Sequence, residues 1–100
     1  MKTLLILGGS RRVVDDALAH LREQGCTVDG VTSDHDAVTA LDTGRYDTVL
    51  IGGGIEEPAR TKVKDSAQRN EVGVLEARRA GRDVRTFLRD VVIPALREPR

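Results

Sequence analysis

Two short runs carry no charged residue, Leu4-Leu5-Ile6-Leu7 and Thr48-Val49-Leu50-Ile51, and each ends on consecutive glycines, Gly8-Gly9 and Gly52-Gly53-Gly54. A strand that is apolar throughout, with at most one small hydroxyl side chain, leaves no face for water and must be covered on both sides. Parallel sheets meet that condition, and their strands can be joined only by crossovers long enough to hold a helix. The intervening residues supply those helices. Ser10 is an N-cap residue type, and Val13, Val14, Ala17, Leu18 and Leu21 recur at helical spacing until Gly25. Ser33 or Asp34 caps a second helix through Ala37, Val38, Ala40 and Leu41, which Gly44 stops. Pro58 suits the first turn of a third helix, which runs to about Asn70 on a narrow face of Ala59, Val63 and Ala67.

Two further strands complete the pattern. Cys26 to Thr32 is broken by Asp29 and Gly30, which marks it as an edge strand, and Val72 to Ala77 is the fourth strand. After Gly81, Val84, Phe87, Leu88, Val91, Val92, Ala95 and Leu96 form an amphipathic stripe that predicts a last helix, with a kink at Pro94. The order β-α-β-α-β-α-β-α with short connections predicts a single α/β domain over residues 1–100. The expected architecture is a three-layer sandwich around a four-stranded parallel sheet of order 2-1-3-4, flavodoxin-like or Rossmann-like. A chain of 100 residues has room for one such core and no second.

Composition narrows the function. Sixteen Lys and Arg balance 16 Asp and Glu. A neutral chain lacks the field on which broad binding to nucleic acid or an acidic membrane depends. Tyr46 and Phe87 are the only aromatic residues, so there is no stacking platform for single strands. The expectation is no nucleic-acid partner and no membrane partner. The Leu4–Leu7 run is too short for the apolar region of a signal peptide, roughly 7–15 residues, and no stretch reaches the roughly 18 of a membrane span. A cytoplasmic protein is expected, and the single free thiol, Cys26, suits a reducing compartment.

The glycine clusters are the candidate site. In a 2-1-3-4 sheet the first and third strands are neighbours, and the crevice beyond their carboxyl ends is the switch point at which open α/β sheets bind ligands. Gly8, Gly9, Ser10, Arg11 and Arg12 on one side, and Gly52, Gly53 and Gly54 on the other, would bring backbone N–H groups and positive charge to a helix start, an arrangement suited to an anion. No resident cofactor is implied; a nucleotide or another phosphate-containing ligand is the class that fits. The competing account is that the glycines only make tight turns.

Other chemistry-bearing residues read as structural. Asp15 and Asp16 are adjacent on a helix and diverge by about 100°. Asp34, Asp36, Glu56 and Glu57 sit where a helix N-terminus favours negative charge, and His35 has no second histidine on its helix, His20 lying on another. Cys26 has no basic neighbour to activate it and reads as a small core residue. Arg78, Arg79 and Arg82 form a basic cluster after the fourth strand, either a solvated loop or a second half of the anion site. Ser10 has no His–Asp set around it, so neither a catalytic residue nor a metal site is expected.

The strand order and the segment Tyr46-Asp47-Thr48-Val49-Leu50-Ile51 resemble a response-regulator receiver domain, whose Tyr-Asp-x-Val-Leu run leads into the phosphoaccepting Asp. Here that position is Gly52, Gly8-Gly9 replace the acidic pair after the first strand, Glu76-Ala77-Arg78-Arg79 stand where a hydroxyl residue follows the fourth, and the fifth strand with its Lys is missing. The resemblance implies a shortened pseudo-receiver without phosphotransfer: a non-enzymatic signalling or protein-interaction domain that associates with itself. The expected homodimer interface is the fourth strand, Val72–Ala77, and the last helix, Val84–Leu96. The alternative function is small-ligand binding at the glycine loops. Leu7-Gly8-Gly9-Ser10-Arg11-Arg12-Val13-Val14 is similar to the phosphate loop of short-chain dehydrogenases, Thr-Gly-Gly-Ser-Arg-Gly-Ile-Gly, with Arg12 and Val14 in place of two glycines. In that resemblance Asp34 sits where a ribose-binding acid would be, while Tyr46 lacks the Lys four residues on, Leu50 standing there.

Overall fold

The structure is a computed structural model that describes residues 3–76 and, apart from these, Pro94, whose backbone is helical. Ala77, the Arg78, Arg79 and Arg82 cluster, and the remainder of the helix read over 84–96 lie outside the described residues. In chain order the elements are β1 (Leu4–Leu7), α1 (Arg11–Glu23), β2 (Val28–Val31), α2 (Asp34–Leu41), β3 (Thr48–Ile51), α3 (Ala59–Arg69) and β4 (Gly73–Glu76). The strands form one parallel sheet in the order β2-β1-β3-β4.

The two charge-free runs sit in the middle of the sheet, and their alternating side chains separate two cores. Leu4 and Ile6 point to the face on which α1 packs through Val14, Ala17, Leu18 and Leu21. Leu5 and Leu7 point to the opposite face, with Ala37 and Leu41 of α2 and Val63 and Ala67 of α3. All four β1 residues and all four β3 residues are buried. Burial on both faces is what excluded charge from these runs. The central register pairs Leu4 with Thr48 and Leu7 with Ile51, so β1 and β3 end level with one another.

Helix ends follow local chemistry. The Ser33 hydroxyl accepts a hydrogen bond from the Asp36 N–H at 3.1 Å, which settles Ser33 rather than Asp34 as the cap of α2. Gly25, at φ 81°, turns the chain out of α1 one residue past Gln24. Pro58 precedes α3 as its N-cap, across a cis Glu57–Pro58 peptide bond. Asp42, at the end of α2, accepts hydrogen bonds from Asn70 Nδ2 at 2.9 Å and from the buried Ser66 hydroxyl at 3.4 Å, joining α2 to α3 on their shared face.

The sequence reading placed the second strand over Cys26–Thr32; the ladder holds only Val28–Val31. Cys26 is still buried, in the α1 core, after its N–H turns back to the Leu21 carbonyl. The edge position expected for this strand is observed. Asp29 is compatible with it because the carboxylate reaches the rim of the sheet, where the Tyr46 hydroxyl donates to it at 2.7 Å. Partial burial and that hydrogen bond to a carboxylate raise the Tyr46 pKa.

Candidate functional site at the glycine mouth

Both glycine clusters lie at the carboxyl ends of β1 and β3, on one end of the sheet. Gly8 donates to the Val31 carbonyl at 3.2 Å and Gly52 donates to the Leu7 carbonyl at 2.7 Å, so the strand ends are stitched together before the chain departs. A Cβ built on Gly9 would meet the Gly54 carbonyl oxygen at 3.9 Å, which brings the two loops into van der Waals range. The crossovers from β1 and β3 leave this end toward opposite faces, α1 on one and α3 on the other. The mouth is therefore the switch point expected from the strand order.

The glycines here have different causes. A Cβ on Gly8 would fall 2.6 Å from Val14 Cγ2, and one on Gly30 would run into Val14 Cγ1 while meeting Leu18 Cδ1 at 3.1 Å. Val14 is fully buried, and a β-branched side chain in a helix has essentially one rotamer, so it cannot swing away. The two glycines together form a socket that takes both methyl groups of Val14 and seats the first turn of α1 against the sheet. In the dinucleotide-binding loop the residue that permits close helix–strand packing is a glycine on the helix. Here the helix carries the valine, and the glycines lie just past β1 and within β2. Gly52 is fixed by backbone: its Cβ would lie 3.1 Å from the Leu7 carbonyl oxygen and 3.4 Å from Gly8 Cα. Packing therefore accounts for Gly8 and Gly52. It does not account for Gly9, whose Cβ would meet nothing closer than 3.9 Å and whose φ lies outside the left-handed region.

At the helix start, Ser10 holds the N-cap position with φ −126° and ψ 125°, but its side chain makes no capping hydrogen bond. The cap expected from the sequence is thus in place geometrically and open chemically. Among the described residues, the N–H groups of Gly9, Arg11, Arg12, Gly53 and Gly54 donate no hydrogen bond within the chain. Helix-start N–H groups carry partial positive charge toward the solvent. The two arginines contribute less than the sequence suggested. Arg11 is in an ion pair with Asp15 at 2.9 Å, one turn along α1, and Arg12 is exposed. Asp34 stands in the first turn of α2, where its carboxylate is 3.8 Å from Lys62 Nζ.

Arg60 has no precedent in the sequence reading. Its guanidinium donates from Nε to the Ile55 carbonyl at 2.6 Å, from Nη2 to the Gly52 carbonyl at 2.8 Å, and from Nη1 to Glu76 at 2.7 Å. Lys64, one turn further along α3, reaches the same carboxylate at 2.9 Å. The hydrogen bond and charge of Lys64, then those of Arg60, hold the Glu76 carboxyl below the usual carboxylate range despite opposing desolvation. In the sequence, only the polar character of the helix that starts after Pro58 hints at this role. The position of Arg60 beside the β3 loop depends on the crossover, which no local pattern displays. Among the described residues, no group of His, Cys, Asp and Glu is arranged to hold a metal ion.

No family model matches the chain, and no curated protein sequence matches it. Among solved structures, the chain is similar to a de novo designed Rossmann 2x3 fold protein determined by solution NMR, with a TM-score of 0.67 at 9% identity, covering 92% of this chain and 73% of that one. At that identity the likeness concerns the fold: a Rossmann-like α/β domain with a parallel sheet. Among the described residues, no helix is long and apolar enough to cross a membrane.

Proposed function

We propose that the chain binds a small phosphate-bearing ligand at the mouth between β1 and β3. The observation that carries this reading is the meeting of Gly8-Gly9-Ser10 with Gly52-Gly53-Gly54 at the switch point, beside a helix start whose capping side chain makes no bond. Gly9 supports it: neither packing nor backbone conformation requires a glycine there, whereas close approach of a ligand to the main chain does. The ligand class is a nucleotide or another phosphate ester, held by Gly9, Ser10, Arg11 and Arg12 on the α1 side and by Gly53 and Gly54 on the other. No bond-making step belongs to this proposal.

A thermal-shift panel of inorganic phosphate, nucleoside monophosphates and divalent ions tests it. A ligand at ten times its dissociation constant adds about 1.4 kcal/mol to the native state, which for a domain of this size raises the midpoint by roughly 6–11 °C. A concentration-dependent rise with a phosphate-bearing compound is expected. A flat response across the panel overturns the reading.

A second reading, a pseudo-receiver-like interaction domain that pairs with itself, is favoured by β4. Among the described residues no strand lies on its outer side, and its Val74 is 37% exposed. An apolar strand with an open edge is a place for a second chain to add. The proposed surface begins at Val72, which is itself buried, and continues into the residues beyond Glu76. Light scattering at micromolar concentration should then give twice the 10.9 kDa of the single chain; a mass of 10.9 kDa removes this reading and leaves the first untouched.

A further inference from the structure

We infer that Arg60 is the positioning residue of the glycine mouth, holding the Gly52–Ile55 turn in its ligand-accepting shape; this rests on the binding function proposed above. The turn closes on itself through the Ile55 N–H, which donates to the Gly52 carbonyl at 3.2 Å. Between those two residues stand Gly53 and Gly54, which have no side chain to anchor them and the largest conformational freedom to lose. A single guanidinium supplies the missing anchor, since it binds the carbonyl at each end of the turn. Its own geometry is fixed in turn by Glu76 at the end of β4, and its side chain is only 17% exposed. With the carbonyls at both ends of the turn held by Arg60, the N–H groups of Gly53 and Gly54 are the donors that keep no partner among the described residues. A planar fork with donors in two directions can span both carbonyls; a lysine ammonium at the end of a flexible stem cannot hold the same pair in one geometry.

The test uses the full chain as wild type, Arg60→Lys and Val63→Ala, with adenosine monophosphate as probe. Val63 is fully buried on the same helix, three residues from Arg60, and faces the core. Affinity for the folded protein and the unfolding midpoint are measured separately. Arg60→Lys is expected to weaken binding at least tenfold and to move the Gly53 and Gly54 amide resonances without ligand. Val63→Ala should lower the midpoint and leave affinity within twofold, which is how a merely structural contribution behaves. Equal affinity in wild type and Arg60→Lys overturns the role of Arg60 while the binding function stands. Absence of binding to the wild type, with the same amide shifts in Arg60→Lys, overturns the binding function and with it the assignment of Arg60 to a ligand site.

Discussion

Gly30→Ala is expected to destabilise the protein by about 1–3 kcal/mol, the range found when a methyl group is forced into a filled core. The added Cβ would stand inside the contact distance of Val14 Cγ1 and 3.1 Å from Leu18 Cδ1, both in the buried α1 core. Alanine reduces the freedom of the unfolded chain, which offsets about 0.4–1 kcal/mol and makes the net cost smaller than the steric one. The informative experiment is the double-mutant cycle with Val14→Ala. Alone, that change removes two buried methyl groups and should cost about 2 kcal/mol. In combination the new methyl at position 30 enters the space that Val14 vacates, so the pair should be at least about 1 kcal/mol less destabilised than the sum of the singles. Urea denaturation of the four proteins measures this. Additivity within about 0.5 kcal/mol would mean that Val14 does not fill a socket made by Gly30.

That socket shows where the sequence was legible and where it was not. Strand identity, strand order and the sites of α1, α2 and α3 could be read because they follow from local facts: charge-free runs closed by glycine, helical spacing of Val14, Ala17, Leu18 and Leu21, and a serine before Asp34. In the sequence, Gly30 shows only a weakness that marks an edge strand. The position at the edge is observed, yet the reason for the glycine is a close approach between β2 and the preceding helix, α1. A glycine inside a strand carries both meanings, and only the partner distinguishes them. The candidate site divides the same way. Both glycine loops are expected at one sheet end because parallel strands share their carboxyl end, and the level ends of β1 and β3 bring them together. The pairing of Arg11 with Asp15 is an i,i+4 pair that the helical spacing contains, whereas the clamp from Arg60 depends on crossover geometry, which spacing alone does not contain.

Gly52→Asp, which places a carboxylate where a receiver domain carries its phosphoacceptor, is expected to cost about 2 kcal/mol or more and to gain no phosphate. The Cβ would press on the Leu7 carbonyl oxygen at 3.1 Å and on Gly8 Cα at 3.4 Å. Both are backbone atoms of the central strand pair, held by the 2.7 Å hydrogen bond from Gly52 to Leu7, and cannot move aside as a flexible side chain would. Strain of this kind falls in the range of about 1–3 kcal/mol, and the negative charge brought toward a carbonyl oxygen adds to it. Gly52→Ala separates the two parts by imposing the steric cost alone. Gly8-Gly9 follow β1 at the position where a receiver domain carries the acidic pair that holds Mg²⁺, so one carboxylate at position 52 does not make a metal site. Intact-mass measurement after treatment with a small phosphodonor and Mg²⁺ should show neither the wild type nor the variant heavier by one phosphate. Such a gain in either would contradict this account.

The most direct test of ligand binding at the mouth is an amide-resolved titration of the ¹⁵N-labelled chain with adenosine monophosphate. Saturable shifts are expected at Gly9, Ser10 and Arg11 at the start of α1, and at Gly53 and Gly54 across the mouth, with the amides of Asp47 and Gly73 at the far end of the sheet unmoved. Saturable shifts confined to residues away from β1 and β3, or no shift at millimolar ligand, would contradict the assignment of this crevice as the binding site.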